Sequence, residues 1–246
     1  TRVRSSAASD VYKRQDYEMR EQMARMADAG RDATDPDWPA PTPEELHRAI
    51  VDREYARVAI VRAAVGPDVV LRLDANEGWG AASADLLARC APLAIEYVEQ
   101  PMHRYDVAGM RALRDLRMIP IAADEALIDA ARIWRVLTAN AADVLVLKPQ
   151  QLGATSTVLG AMQAATAAGA KCVITSSIES GVGVAAALHL AALPSITLPC
   201  GLATLPLLED DLILEDLPIR DGMMLVPDGP GLGVTLDRDA LERYRV

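Results

Sequence analysis

Short aliphatic runs recur along the chain, separated by stretches whose apolar residues fall at helical spacing. The runs are Val69-Val70-Leu71-Arg72-Leu73, Ala94-Ile95-Glu96-Tyr97-Val98, Ile119-Pro120-Ile121-Ala122-Ala123, Val144-Leu145-Val146-Leu147, Cys172-Val173-Ile174-Thr175 and Ile196-Thr197-Leu198. Each predicts a buried strand, because β-branched and aliphatic residues without polar alternation suit a sheet covered on both faces. Helices are predicted between them over residues 82–90, 107–116, 130–139, 155–168 and 183–192. Strict alternation of strand and helix implies right-handed βαβ units and a parallel sheet, and the near-constant period favours a parallel (β/α) barrel over a doubly wound sheet. A closed barrel takes eight units in roughly 250 residues. The pattern yields six strands, so the barrel is expected to be incomplete at its N-terminus.

The front of the chain departs from this rhythm. Residues 1–15 carry no periodic pattern and read as a non-native leader; residues 16–246 read as a partial C-terminal barrel domain with a return segment from about 222. Tyr17, Met19, Met23, Met26 and Ala27 suggest a helix ended by Gly30, followed by a polar, Pro-rich loop to Pro41. A second helix is signalled by Thr42 with Glu45 three residues on, a capping box, and by Pro43 at the first helical position. It is predicted to run to Val65, before the Gly66-Pro67 stop.

Four successive strand runs each lead to one charged residue: Asp74, Glu99, Asp124 and Lys148, at intervals of 25, 25 and 24. Taken singly, each would be an ordinary solvated charge at a strand end. In a (β/α) barrel, however, the C-terminal ends of consecutive strands meet at one mouth, so three carboxylates and an ammonium are expected to converge there. Converging carboxylates repel unless a cation holds them. Hard oxygen donors with positions left for water and substrate suit Mg2+ best, with Mn2+ as a substitute.

Composition narrows the partners. With 25 basic and 35 acidic side chains the formal charge is −10, which argues against a nucleic-acid backbone or an anionic membrane surface as the main partner. The chain is 51% hydrophobic and 24% charged, as expected of a folded protein, and has no Phe, so aliphatic residues must build the core. No apolar run approaches the roughly 20 residues of a membrane span, and a soluble, cytoplasmic protein is the expectation. Cys90, Cys172 and Cys200 are odd in number and far apart, which fits reduced, buried thiols. Trp79 and Tyr97 read as core aromatics, and His189, on an Ala/Leu-rich helix, as a packed histidine. Gly229-Pro230-Gly231-Leu232-Gly233 looks superficially like a phosphate loop but lacks a preceding strand and a following glycine-lysine pair.

Four segments in order, Leu73-Asp74-Ala75-Asn76 with Trp79, Glu96-Tyr97-Val98-Glu99-Gln100-Pro101, Pro120-Ile121-Ala122-Ala123-Asp124-Glu125 and Val146-Leu147-Lys148-Pro149, resemble the enolase superfamily. The resemblance is to its muconate lactonizing enzyme branch and covers roughly residues 44–246. It implies that Asp74, Glu99 and Asp124 are Mg2+ ligands, that Lys148 is catalytic, and that the substrate is a small carboxylate losing its α-proton. Lys148-Pro149-Gln150-Gln151-Leu152-Gly153, Ser176-Ser177-Ile178-Glu179-Ser180 and Cys200-Gly201-Leu202-Ala203-Thr204 look most like the corresponding strand ends of o-succinylbenzoate synthases. Racemases, dipeptide epimerases and muconate cycloisomerases on the same scaffold, or a catalytically incomplete fragment, are the alternatives. Asn76, Ser176, Ser177, Glu179 and Gly201 are the expected substrate contacts, with the start of the helix after Ser180 as a place for a substrate carboxylate. The bland alternative there is N-capping by Ser177 or Ser180, and for Glu179 a solvated charge. The resemblance also implies a second lysine from an upstream K-x-K, yet the lysines are Lys13, Lys148 and Lys171 and none forms that motif. An open barrel of this kind is expected to aggregate or to assemble with another copy.

Overall fold

The computed structural model describes residues 2–4 and 42–245. Among the described residues the elements run β1 (Arg2–Arg4), α1 (Pro43–Val65), β2 (Leu71–Asp74), α2 (Ser83–Cys90), β3 (Ile95–Glu99), α3 (Val107–Asp115), β4 (Ile121–Ala123), α4 (Ala130–Thr138), β5 (Val144–Leu147), α5 (Pro149–Leu152), α6 (Thr155–Ala167), β6 (Lys171–Ile174), α7 (Gly181–Ala191), β7 (Ile219–Arg220), β8 (Met223–Leu225) and α8 (Arg238–Arg243). Strands β2 to β6 form one parallel five-stranded sheet in sequence order, the open, curled sheet expected of an incomplete enolase-type (β/α) barrel. The helix expected before Gly30 lies outside the described residues, as does most of the segment 1–15; Arg2–Arg4 pairs antiparallel with Met223–Leu225.

Alternation along the strands sorts the sheet into two faces. Val98, Ile121, Ala123, Leu145, Leu147, Cys172 and Ile174 join the large core beneath the helices. Tyr97, Ala122, Val144, Val146 and Val173 point the other way and pack together with Leu198 inside the curl. Arg72, on the first strand of the sheet, completes this inner layer. Its guanidinium lies 4.8 Å over the Tyr97 ring, Nε donates to Glu96 Oε2 at 2.5 Å, and Nη1 donates to the Pro199 carbonyl at 2.7 Å. That last bond joins the first strand to the segment beyond the last helix of the sheet, across the interior of the curl.

Most predicted elements fall within two residues of their observed bounds. The capping box forms: Glu45 N–H donates to Thr42 Oγ1 at 3.2 Å, and Thr42 N–H to Glu45 Oε2 at 2.8 Å. The sixth strand is a correction, since residues 196–198 form none. Pro194 and Pro199 bracket the run and neither carries the N–H that a ladder needs. Just beyond the run, Gly201 bridges to Thr175 in parallel. The glycine-rich segment 229–233 is a turn, with Gly231 and Gly233 at positive φ. All three cysteines are free and buried, and burial pushes the Cys90 thiol up to about 11 and Cys172 up to about 12. Among the described residues no helix is long and apolar enough to cross a membrane.

Candidate active site

The inner layer of Arg72, Tyr97, Ala122 and Val146 fixes what lies one step nearer the mouth. Two residues further along each chain stand Asp74, Glu99, Asp124 and Lys148, so the same alternation turns all four inward at the C-terminal ends of β2 to β5. Asp74 and Glu99 are register partners. Asp124 is only 7% exposed, and Lys148 Nζ donates to its Oδ2.

The electrostatics of these four residues show how strained that row is without a further cation. Burial pushes the Asp74 carboxyl up to about 6, and the Asp124 charge adds to it, although the Asn76 N–H donating to Asp74 Oδ1 at 2.9 Å works the other way. Burial also holds Glu99 well above the usual carboxylate range, reinforced by Asp74 and then Asp124. Glu125 is raised to about 7 by burial and by Asp124. For Lys148, burial favours the neutral amine, but the charge and hydrogen bond of Asp124, with Glu99 and Glu125, outweigh it and raise the ammonium above its ordinary value. Among the described residues no three His, Cys, Asp or Glu side chains converge closely enough, as they stand, to hold a metal ion. In kind the donor set fits one: three inward carboxylates whose charges burden one another, with one oxygen of Asp124 occupied by Lys148.

The expected substrate contacts divide. Asn76 is exposed at φ 38° and serves Asp74 through its backbone. Ser176 is committed within the protein: its Oγ donates to the Gly201 carbonyl at 3.1 Å and accepts from Thr204 Oγ1 at 2.8 Å. Gly201 spends its N–H on Ile174, and a Cβ there would stand 3.0 Å from Thr175 Cγ2. Ser177 Oγ and Thr175 Oγ1 are buried with no partner. Glu179 is not a solvated charge: it is 8% exposed, its Oε2 accepts from Ser177 N–H, and its Oε1 has no partner. Ser180 holds the N-cap position of α7 without a side-chain bond, and Asp211, from the loop between α7 and β7, accepts the Gly181 N–H at 2.7 Å instead. That donor is therefore unavailable to a substrate carboxylate.

Trp79 and Tyr97 are buried as expected, and His189 packs with its Nε2 3.2 Å from the Leu232 carbonyl. Lys171 is exposed at the start of β6, the end opposite the mouth, so it cannot face Lys148; Lys13 lies outside the described residues. Three features escape the sequence reading. Glu125 shares the electrostatic field of the mouth. Glu77 and Arg104 clasp the loops after β2 and β3 through Nε and Nη2 bonds of 2.5–3.1 Å. Gln100, beside Glu99, is fully buried. Adjacency to an inward carboxylate is the one signal that marked Gln100 and Glu125 in advance.

An open parallel (β/α) sheet with carboxylates and a lysine at the C-terminal strand ends defines a class of barrel enzyme domain. The chain belongs to the Enolase C-terminal domain-like family, whose profile matches residues 18–240. It is 35% identical over 195 residues to a chloromuconate cycloisomerase of Cupriavidus necator, covering 78% of this chain and 52% of that protein. It is 40% identical over 175 residues to an o-succinylbenzoate synthase of Thermobifida fusca, covering 70% and 54%. The crystal structure of a muconate lactonizing enzyme from Pseudomonas fluorescens, complexed with muconolactone, superposes with a TM-score of 0.74 at 30% identity, over 80% of this chain and 53% of that one. The chain thus spans about half the length of the relatives it matches. They place it in the muconate-lactonizing branch of the enolase superfamily, and identity alone does not single out o-succinylbenzoate synthase.

Proposed function

We propose that this chain supplies the metal-binding and proton-donating half of a site that moves a proton at the carbon α to a carboxylate, in an isomerase of the cycloisomerase kind acting on an unsaturated dicarboxylate. The observation that carries this reading is the inward row of Asp74, Glu99, Asp124 and Lys148. Asp74, Glu99 and Asp124 would hold Mg2+ or Mn2+. When bound, that ion stabilises negative charge building on the substrate carboxylate. Lys148, kept protonated by its carboxylate neighbours, holds a proton at Nζ that can pass to the α-carbon, and its charge favours the electron-rich transition state. Tyr97 and Val146 form an apolar floor that keeps water from below the reacting centre. Cycloisomerases among the relatives support this outcome over elimination.

A second reading, o-succinylbenzoate synthase, keeps its support from the 40% identity to the Thermobifida fusca enzyme and from the segments around Lys148 and Ser176. The test uses the protein at its full native length. Its Mg2+-dependent turnover of muconate or chloromuconate is compared with dehydration of succinyl-hydroxycyclohexadiene carboxylate. Cycloisomerisation that disappears in Lys148→Met is the expected result. Dehydration alone would replace the isomerase reading with the lyase.

A further inference from the structure

Gln100 is a glutamine with no exposed surface, at the point where β3 ends beside Glu99. A buried amide is costly unless its polar atoms are paired, and here they are. The side-chain Nε2 donates to the Met102 carbonyl at 2.9 Å and also reaches Met110 Sδ at 3.3 Å. Oε1 accepts two backbone N–H groups, from Asp124 at 3.0 Å and from Ala126 at 3.2 Å. The backbone sits at φ 39°, a left-handed conformation unusual for a side chain of this size. It is held there by Gln100 N–H donating to the Ala122 carbonyl at 2.9 Å and by its carbonyl accepting from Glu77 N–H at 2.8 Å. One residue thereby ties together the loops that follow β2, β3 and β4.

The bonds to Asp124 and Ala126 have a consequence for the mouth. A short 3-10 helix, Glu125–Leu127, begins directly after Asp124, which occupies its N-cap position. An aspartate at an N-cap ordinarily turns its carboxylate back onto the N–H groups of the first turn. Asp124 makes no such bond; Gln100 Oε1 takes the Ala126 N–H, and the Asp124 carboxylate faces Lys148 instead. We propose that Gln100 is a positioning residue that caps the turn after β4 in place of Asp124, and so keeps the Asp124 carboxylate in the mouth as a metal ligand. The inference rests on the reading of Asp124 as a ligand in the proposed function. Without the Gln100 acceptor, the free Ala126 N–H competes for the Asp124 carboxylate and draws it out of the ligand set.

The test uses the 246-residue chain and reads Mn2+ affinity by water-proton relaxation, with a thermal melt to verify folding. Gln100→Met, similar in length but without the acceptor, is expected to bind Mn2+ about tenfold more weakly or worse, the range for losing a partner that orients a ligand. Gln100→Glu, which keeps an acceptor oxygen for both N–H groups, is expected to recover most of that affinity. A folded Gln100→Met chain that binds Mn2+ as well as the parent overturns the proposal. A measurement without substitution or metal stands beside it: the Asp124 and Ala126 amides must exchange slowly in the parent chain, and fast exchange there overturns the capping role even if Gln100→Met fails to fold. A parent chain with both amides protected but no Mn2+ uptake would instead refute the metal site while leaving the capping intact.

Discussion

Asp74 carries a cost that can be measured before any ligand is added. Burial, with the Asp124 charge behind it, raises its carboxyl from 3.8 to about 6. The native chain therefore holds more protons than the unfolded chain between about pH 4 and pH 6, and its stability falls as pH rises through that window. Above it the ionised, buried carboxylate costs on the order of 3 kcal/mol. Asp74→Asn keeps an oxygen for the Asn76 N–H and removes the charge. It is expected to stabilise the metal-free chain by about that amount at pH 7.5 and hardly at all at about pH 3, where the parent carboxyl is protonated in both states. Urea unfolding in the presence of a chelator checks this, and an equal effect at the two pH values would refute the electrostatic cause. With Mn2+ present the sign reverses, since the variant gives up a ligand. A residue that destabilises the empty chain and is repaid on binding suits a site rather than a scaffold.

At the level of elements, the loop between α7 and β7 does work that the helix it serves does not do for itself. Gly181 opens α7 with its N–H on Asp211 Oδ1, and a Cβ at Gly181 would stand 2.3 Å from Ile213 Cδ1. Asp211→Ala is expected to cost about 1 kcal/mol in thermal or urea unfolding, as losing an N-cap does, whereas Ser180→Ala, at the nominal cap, should be close to neutral. Equal losses at the two positions would contradict this assignment. The contrast also marks what could be read from the chain in advance. Periodicity located α2 to α4, α6 and α7 and five of the six strands, because burial on one face leaves its trace in neighbouring residues, and α1 was legible from its capping box and its Gly-Pro stop. The spacing of Asp74, Glu99, Asp124 and Lys148 located the mouth, because the repeat of the barrel is also the repeat of its strand ends. The run 196–198 misled, since aliphatic character reports burial and not pairing, and the prolines around it remove the donors. Asp211 capping Gly181, Gln100 reaching Asp124 and Arg72 reaching Pro199 join residues 24 to 127 positions apart. No local pattern encodes such bonds, and nothing in the spacing of Ser176 and Ser177 distinguishes the committed hydroxyl from the free one.

Over the whole described molecule, the sheet ends at an edge strand, β2. β2 pairs with β3 alone, so one side of its backbone has no ladder partner in the sheet. The approach to that edge is apolar: Ile60 and Val70 are 69% and 64% exposed, with Val61, Val65 and Val69 also open to solvent. Unpaired edges beside exposed aliphatic side chains recruit other strands and surfaces. The formal charge of −10 opposes this by repulsion between copies. That repulsion is long-ranged only at low ionic strength, with a screening length of about 8 Å at physiological salt, whereas apolar contact gains strength from excluded salts such as sulfate. The chain on its own is therefore expected to self-associate more at high salt than at low, the reverse of an assembly held by ion pairs. Light scattering on a sizing column at two salt concentrations measures this directly. Substituting Ile60→Glu and Val70→Glu together should return the chain to a monomer with little change in melting temperature, because both side chains are exposed already and contribute little to the core. A parent chain that is monomeric at every salt concentration would mean that this edge is covered from within the chain, and the same two substitutions would then lower the melting temperature instead.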